Sequence, residues 1–540
     1  MIIVDPVVLG DVPFTRASPK LVYDRTGTLV EVPADTLGVT YDPADLSKAP
    51  WALIEPAARN LARASEAFDD EWWGKAGSTV AGNSIAAPDG SLSADKLIES
   101  ATNGGHYVDQ TIAINGSSQY SRSVFAKAGE RDQIRLEFYS VPTTAVRANV
   151  SFDLTTGLFF GETTTAGVVQ TYSAQRLPNG WWRLVQVLNL ATTDASCFFR
   201  VCLLGTGGSS VYTGDGFGGA YLWGAQLEAG DRASSYIRTS GDAVTRAADV
   251  VGAGAGLVYS NVPLVEPPYN VTTTYAKDAA VYDPATKIVY WSMVAGNVGK
   301  ALSDPAFWNK RTAINRWAMF DDRNSTQTSN PEEIVSVFSA QAITQGLFAG
   351  AMDASEVRVS MTHPTRGLVY SETKSLVLPR SGSSFFGWCF NRLRLRTWFL
   401  TLKLPVFANA LVTITIKKPG GVPKCGMCLL GPAIDVGLSL MGLSTELKDY
   451  STTTFFTDGS SSTVERGFSK KMSVDISVES DRVETIEDDL IKRRQKTLVF
   501  LGSTMRGDTM LVGRFSSLRK VIDSFPRSKM ALQIDGVLSQ

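Results

Sequence analysis

Tyr221-Leu-Trp-Gly-Ala-Gln-Leu-Glu-Ala-Gly-Asp-Arg-Ala-Ser-Ser-Tyr236-Ile-Arg-Thr-Ser240 decides the fold. It opens with an apolar extended run and breaks at Gly224-Ala225. A polar turn at Gly230-Asp-Arg232 follows, and the chain restarts with Tyr236-Ile237. An apolar Tyr-Leu-Trp strand running into glycine places Trp223 in a core.

The residues before it carry turn signals every 8 to 12 positions, the spacing of a β-sandwich. Ala87-Pro-Asp-Gly90 is a turn because proline presets φ and glycine tolerates positive φ. Leu177-Pro-Asn-Gly180 is another, leading into Trp181-Trp-Arg-Leu184. Between them lie Tyr120-Ser-Arg-Ser-Val-Phe-Ala126 and Gln133-Ile-Arg-Leu-Glu-Phe-Tyr139. In the second, Ile134, Leu136 and Phe138 share one face of a strand. Asp24-Arg-Thr-Gly27 predicts a hairpin turn between Leu21-Val-Tyr23 and Thr28-Leu-Val-Glu-Val32.

Composition agrees with a chain built mainly of strands. The 540 residues are 44% hydrophobic and 10% aromatic, with 47 glycines, enough for about three or four domains. The net charge is −1, from 52 Lys and Arg against 53 Asp and Glu, so no basic field exists to hold nucleic acid. The N-terminus has no basic region followed by a long apolar run, so no signal peptide is expected. The apolar window 397–416 is broken by Lys403 and Pro405 and ends in strand alternation. No membrane insertion is expected.

Five cysteines, Cys197, Cys202, Cys389, Cys425 and Cys428, are an odd number and argue against a disulfide scaffold. Cys425-Gly-Met-Cys428 lacks a second pair or a nearby histidine, and Pro432 follows it, so buried thiols at a turn are expected. Only His106 and His363 are present. The first reads as a structural histidine on a strand, the second as a loop residue before Pro364. The glycines from 205 to 219 contain no Gly-Lys-Ser/Thr and read as a surface loop. A calcium site built from its carboxylates and carbonyls is the alternative reading of that loop. Asp69-Asp-Glu71 and Asp321-Asp322 are adjacent in sequence, not a dyad set across a groove. No catalytic residue, metal ligand or cofactor site is therefore assigned, and the protein is not read as an enzyme.

The ordered motifs carry a resemblance. Phe14-Thr-Arg-Ala-Ser18, Tyr41-Asp-Pro43 and Leu53-Ile-Glu-Pro56 with Asn60-Leu61 resemble a leader that precedes jelly-roll modules in bacteriophage tail and fibre proteins. Trp72-Trp73, Ala87-Pro-Asp-Gly90, Ala94-Asp-Lys-Leu97, His106-Tyr-Val108, Trp181-Trp182, the Tyr221 segment and Val244-Thr-Arg-Ala-Ala-Asp249 resemble the module itself. Such modules are similar to carbohydrate-binding domains. Farther on, Tyr275 to Trp308 resembles short three-stranded aromatic modules found beside chitinases and in phage fibres. Ile314-Asn-Arg-Trp-Ala-Met-Phe-Asp321 resembles the opening of a galactose-binding-type sandwich. Val464-Glu-Arg-Gly-Phe-Ser-Lys470 and the strand after it resemble C-terminal domains of phage tail-associated proteins.

The expected architecture is mainly β, with multidomain β-sandwich (jelly-roll) modules and a small C-terminal α+β domain. Its parts are a leader or attachment segment (1–60), a jelly roll (61–250), a linker with a short aromatic module (251–311), a galactose-binding-like sandwich (312–418) and the α+β domain (419–540). In the last, Val483, Ile486 and Leu490 recur at helical spacing behind Asp481-x-x-Glu484, which predicts a capped helix. The resemblance implies a structural protein of a tailed-phage virion, in the tail or tail fibre. Its expected partners are other virion proteins, further copies of itself and a host cell-surface glycan. A capsid-decorating or collar fibre with a purely structural role is the second reading, and a polysaccharide depolymerase the third. Sugar C–H faces stack on flat rings beside polar groups. Trp73, Tyr107, Trp181, Tyr290 and Trp291 are the candidate glycan contacts, on the argument that adjacent aromatic residues of a strand face opposite ways.

Overall fold

The computed structural model describes residues 1–7, 10–116, 118–190, 194–339, 344–378, 394–504, 506–521 and 526–537. Cys389 lies outside them. The chain divides into two compact units, 14–252 and a second formed by 1–13 with 253–540. Both are built almost wholly of antiparallel strands packed as sandwiches, so the protein is a mainly β, multidomain β-sandwich chain.

The unit 14–252 contains a jelly roll of two six-stranded sheets. One runs Ser78–Ala86, Leu92–Glu99, Gly219–Ala229, Gln119–Ala128, Trp182–Leu190, Val168–Arg176. The other runs Leu158–Thr164, Ala145–Asp153, Gln133–Ser140, Ser196–Leu203, His106–Ala113, Gly74–Ala76. Residues spaced by two on each strand fill the space between them, among them Val108, Ile112, Val124, Ile134, Leu136, Phe138, Phe199 and Val201. The strand Gly219–Ala229, which contains the Tyr221 segment, lies inside its sheet between Leu92–Glu99 and Gln119–Ala128. Its glycine break is a β-bulge. Phe125 pairs with Trp223, the register then slips, and Ser123 pairs with Gln226. Gly224 there has φ +64°, and a Cβ on it would stand 2.8 Å from the Phe125 ring.

The leader is not a separate segment. Lys20–Tyr23 and Leu29–Val32 form the expected hairpin. Leu21, Tyr23 and Leu29 then share a core with Phe125, Trp181, Trp223 and Tyr236. The expected boundary at residue 60 is therefore corrected: residues from Phe14 onward belong to the jelly-roll unit, because their apolar side chains complete its second core.

In the other unit, a six-stranded sheet runs Gly10–Asp11, Gly256–Ser260, Glu333–Ser339, Leu411–Lys417, Glu356–His363, Gly367–Ser375. Ile334, Val357, Val359 and Ile414 share a core with Leu347, Phe399 and Leu430 of the three-stranded sheet Phe399–Thr401, Gly346–Gly350, Met427–Gly431. The sandwich expected within 312–418 thus extends at both ends. The aromatic module is three antiparallel strands, Ala280–Tyr282, Ile288–Ser292 and Trp308–Ala313, around Tyr275, Val281, Tyr290 and Trp308.

The α+β part is an eight-stranded sheet with the helix Val483–Lys492. Val483, Ile486 and Leu490 pack on Met472, Val474, Ile476 and Val478, as their 3.6-residue spacing requires. The helix begins after Arg482 without a side-chain cap, so Asp481 does not play the capping part. The N-terminal strand Ile2–Val4 lies within this sheet, between Leu498–Leu501 and Ala433–Asp435, so residues 1–4 complete the C-terminal domain. Among the described residues no helix is long and apolar enough to cross a membrane.

Candidate functional site

The five aromatic candidates fall into two groups. Trp73 is 1% exposed; it packs on Phe68 and Phe199, and its indole donates to the Ala64 carbonyl. Trp181 is 2% exposed, with its indole donating to the Ala86 carbonyl. Tyr290 is buried in the small core of the aromatic module. These three are corrected: they hold cores together and present no face to a ligand. Tyr107 and Trp291 remain at the surface. Trp291 carries the Arg311 guanidinium 4.1 Å from its ring centroid.

The physical reason for the correction is local. Strand alternation does not govern either tryptophan pair, because Trp72 and Trp73 precede the strand Gly74–Ala76 and Trp181 precedes Trp182–Leu190. Trp72 is the outward member of its pair, under Arg63 at 4.1 Å. Trp182 is half-buried against Phe152.

Around Tyr107 the structure assembles a site. It lies on the face of the second jelly-roll sheet that turns away from the core, on three adjacent strands. Val108, Phe199, Val201, Leu136 and Phe138 point inward. The alternate residues therefore point out: Tyr107 and Asp109, Phe198 and Arg200, Glu137 and Tyr139. The register sets Arg200 directly between Asp109 and Glu137. Arg200 pairs with Asp109 at 2.9 Å and with Glu137 at 2.8 Å. Held in this way, its guanidinium lies 4.0 Å from the Tyr107 ring centroid, 4.7 Å from Tyr139 and 5.3 Å from Phe198.

The electrostatics follow from this packing. Burial opposes the Arg200 charge, but the hydrogen bond and charge of Asp109 outweigh it and hold the guanidinium above its ordinary value. Burial raises the Asp109 carboxyl despite Arg200. Burial likewise raises the Tyr107 phenol, with Arg200 working against it. Both carboxylates are committed to one guanidinium, so the patch offers rings, hydrogen-bond donors and acceptors. The sequence reading named Tyr107 and omitted Tyr139, Phe198 and Arg200. The signal for Tyr139 was the outward phase of Gln133-Ile-Arg-Leu-Glu-Phe-Tyr139, opposite Ile134, Leu136 and Phe138; Phe198 and Arg200 lie on Ser196–Leu203, where the same alternation holds.

The remaining chemical candidates have structural partners. His106 is buried, with Nδ1 at the Gly77 carbonyl and Nε2 3.1 Å from the Tyr212 carbonyl. His363 ends a strand and packs on Phe407. Asp215 closes its own loop by accepting from the backbone N–H groups of Phe217 and Gly218. Cys425 and Cys428 are buried, on two short strands on either side of Gly426, and burial pushes the Cys425 thiol up to about 12. Among the described residues no group of three or more His, Cys, Asp or Glu could hold a metal. In the other unit a cavity of about 510 Å³ is lined by Lys287, Trp317, Phe320, Asp321 and Asp322. The Lys287 ammonium lies over the Trp317 ring and pairs with Asp11.

Fold and patch together define a multidomain β-sandwich protein with a polar-aromatic sheet face. No family model matches the chain, and no curated protein matches it. Among solved structures it is similar to the N-terminal CBM22-1–CBM22-2 tandem domain of Paenibacillus barcinonensis Xyn10C. There the identity is 8% over 70% of this chain and 98% of that one, with a TM-score of 0.19. It is also similar to a Paenibacillus sp. cycloisomaltooligosaccharide glucanotransferase complexed with cycloisomaltoheptaose, at 9% identity, 66% and 45% coverage and a TM-score of 0.17. A third is the GH78 family rhamnosidase of Bacillus sp. GL1, at 10% identity, 77% and 36% coverage and a TM-score of 0.16. The chain spans less than half the length of the second and third.

Proposed function

We propose that this chain is a structural protein of a tailed-bacteriophage virion, in the tail or a tail fibre. Its jelly roll presents the Tyr107–Tyr139–Phe198–Arg200 face to host-surface glycans. The observation that carries the binding half is the geometry of that face: three rings around a guanidinium paired with two carboxylates. Rings supply stacking surfaces for sugar C–H faces, and the charged groups supply directed hydrogen bonds. The ordered motifs from Phe14 to Asp249 support the virion setting. Each contact is weak, and several symmetric copies on one particle multiply it into avidity. Other virion proteins are the remaining partners.

A glycan array probed with the multimerised full-length chain tests the binding half. Binding to a defined set of bacterial surface glycans is expected, with Tyr107→Ala and Tyr139→Ala each losing at least about tenfold in affinity. Absence of binding with a folded protein, or binding indifferent to both substitutions, overturns it. Immunogold labelling of particles tests the virion half; label on the tail or fibre is expected, and unlabelled particles overturn it. One observation favours a purely structural fibre or collar instead, since Trp73, Trp181 and Tyr290 serve as core. Label on the collar or capsid together with an empty array would establish that reading.

A further inference from the structure

Residues 438–464 have almost no interior. The strand Ser444–Asp449 pairs with Phe468–Glu479, in a register running from Ser444 opposite Ser473 to Asp449 opposite Phe468. The hairpin Thr452–Phe455 with Ser461–Val464 follows it. Every residue of Ser444–Asp449 and of the hairpin strands is exposed. Leu438, Met441, Leu447, Phe455, Phe456 and Val464 are between 52% and 102% exposed. Single exposed apolar residues are ordinary, but so many on one short stretch mark a contact surface. A two-stranded hairpin is also marginal in water without a third layer.

The strand Ser444–Asp449 is a sheet edge. Among the described residues its only strand partner is Phe468–Glu479. Proteins that keep such edges monomeric blunt them with bulges, proline or charges that meet no complement. Here the charges do have a complement, namely the same strand. Laid antiparallel on itself about Leu447, Ser444-Thr-Glu-Leu-Lys-Asp449 sets Glu446 opposite Lys448 of a second copy, and Lys448 opposite Glu446. Leu447 meets Leu447. Alternation places the two charge pairs on one face and the leucine pair on the other. Neither Glu446 nor Lys448 forms an ion pair among the described residues, although Glu446 stands opposite Lys471 in its own sheet.

We infer that this edge is a seam between two copies of the chain, joined by antiparallel strand addition across a two-fold axis at Leu447. A self-complementary strand makes an isologous contact of this kind. The exposed hairpin beside it supplies the apolar surface that the seam would cover. The inference deepens the oligomeric part of the reading above. Its test involves no glycan, so either can fail without the other.

Sedimentation velocity on the full-length chain, with far-UV circular dichroism to confirm folding, decides it. The wild type is expected to dimerise reversibly. Glu446→Lys sets lysine against lysine twice, and Lys448→Glu sets glutamate against glutamate twice. Each is expected to weaken the dimer by at least about tenfold. The double variant E446K/K448E restores the charge pairs and should recover the wild-type association. The two single variants, mixed, should form a heterodimer that neither forms alone. A wild type that stays monomeric at all concentrations overturns the inference. So does an oligomer unaffected by either single reversal, or a loss of dimer that the double variant does not recover. A monomer that instead binds a different protein through this edge also overturns it.

Discussion

Arg16 and Asp249, 233 positions apart, form an ion pair at 3.1 Å in which neither side chain has any exposure. Lys20 takes the other oxygen of Asp249 at 2.6 Å and also pairs with Glu55, which in turn pairs with Arg246. The Ala247 amide donates to the Ser18 hydroxyl. The start and the end of the jelly-roll unit are thereby locked to each other, and the strand pair Val250–Val251 with Phe14–Thr15 lies beside the lock.

Replacing Asp249 with alanine should leave two buried cations without their shared carboxylate. A loss of about 3–5 kcal/mol is expected for the unit 14–252, because breaking one partner of a buried pair leaves an uncompensated charge. Urea denaturation followed by tryptophan fluorescence checks it. A change below about 0.5 kcal/mol, the size expected of an ordinary surface substitution, would show the network to be dispensable.

The same network makes stability depend on acid. Burial by itself would raise the Glu55 carboxyl, but the charges of Lys20 and Arg246 and the hydrogen bonds from Lys20 and Ser235 outweigh it and hold the group low. A carboxyl depressed on folding contributes stability above its unfolded value and loses it as pH falls through the folded value. The denaturation midpoint of this unit should therefore fall as pH drops below the ordinary carboxyl value of 4.5. Glu55→Gln should be less stable at neutral pH and show a shallower acid dependence. Urea midpoints measured from pH 3 to pH 7, with about half-unit steps, compare the two slopes.

Gly224 occupies a left-handed backbone position, with the Phe125 ring 2.8 Å from where a Cβ would sit. Gly224→Ala should cost about 2–4 kcal/mol, from the left-handed strain and the overpacking together. Thermal denaturation should show the lowered midpoint, and near-UV circular dichroism should report the displaced Phe125–Trp223–Tyr236 cluster. An unchanged melting curve would mean the bulge relocates without cost.

The neighbours Trp72 and Trp73 should behave oppositely. Trp73→Ala empties a core site and is expected to cost about 3–5 kcal/mol. Trp72→Ala removes a ring that is 44% exposed beneath Arg63 and should cost about 1 kcal/mol or less. Denaturant titration of both variants checks the ordering; equal losses would contradict it.

The legible part of the sequence was whatever has a short period. Ile134, Leu136 and Phe138 announced their strand and its buried face. Val483, Ile486 and Leu490 announced a helix, and Asp24 to Gly27 announced a hairpin. The apolar Tyr221-Leu-Trp223 run correctly marked Trp223 as core. Phase at the starts of strands was not legible. Trp72-Trp73 and Trp181-Trp182 each begin before or at the edge of an extended run, where alternation has not yet set the direction of a side chain. The Arg200 patch was half legible, because alternation predicts an outward phase but does not say which strands lie side by side.

The sequence by itself determined a mainly β chain of sandwich modules, with one amphipathic helix near its end, because side-chain direction along a strand or helix is set by covalent neighbours. Only the tertiary structure decided that Arg16 meets Asp249, that Ile2–Val4 completes the C-terminal sheet, and that Arg200 is caught between Asp109 and Glu137. Those contacts join residues from tens to hundreds of positions apart. Their partners are selected by strand register and by the burial of charge in a shared core, and neither quantity exists until the chain has closed on itself.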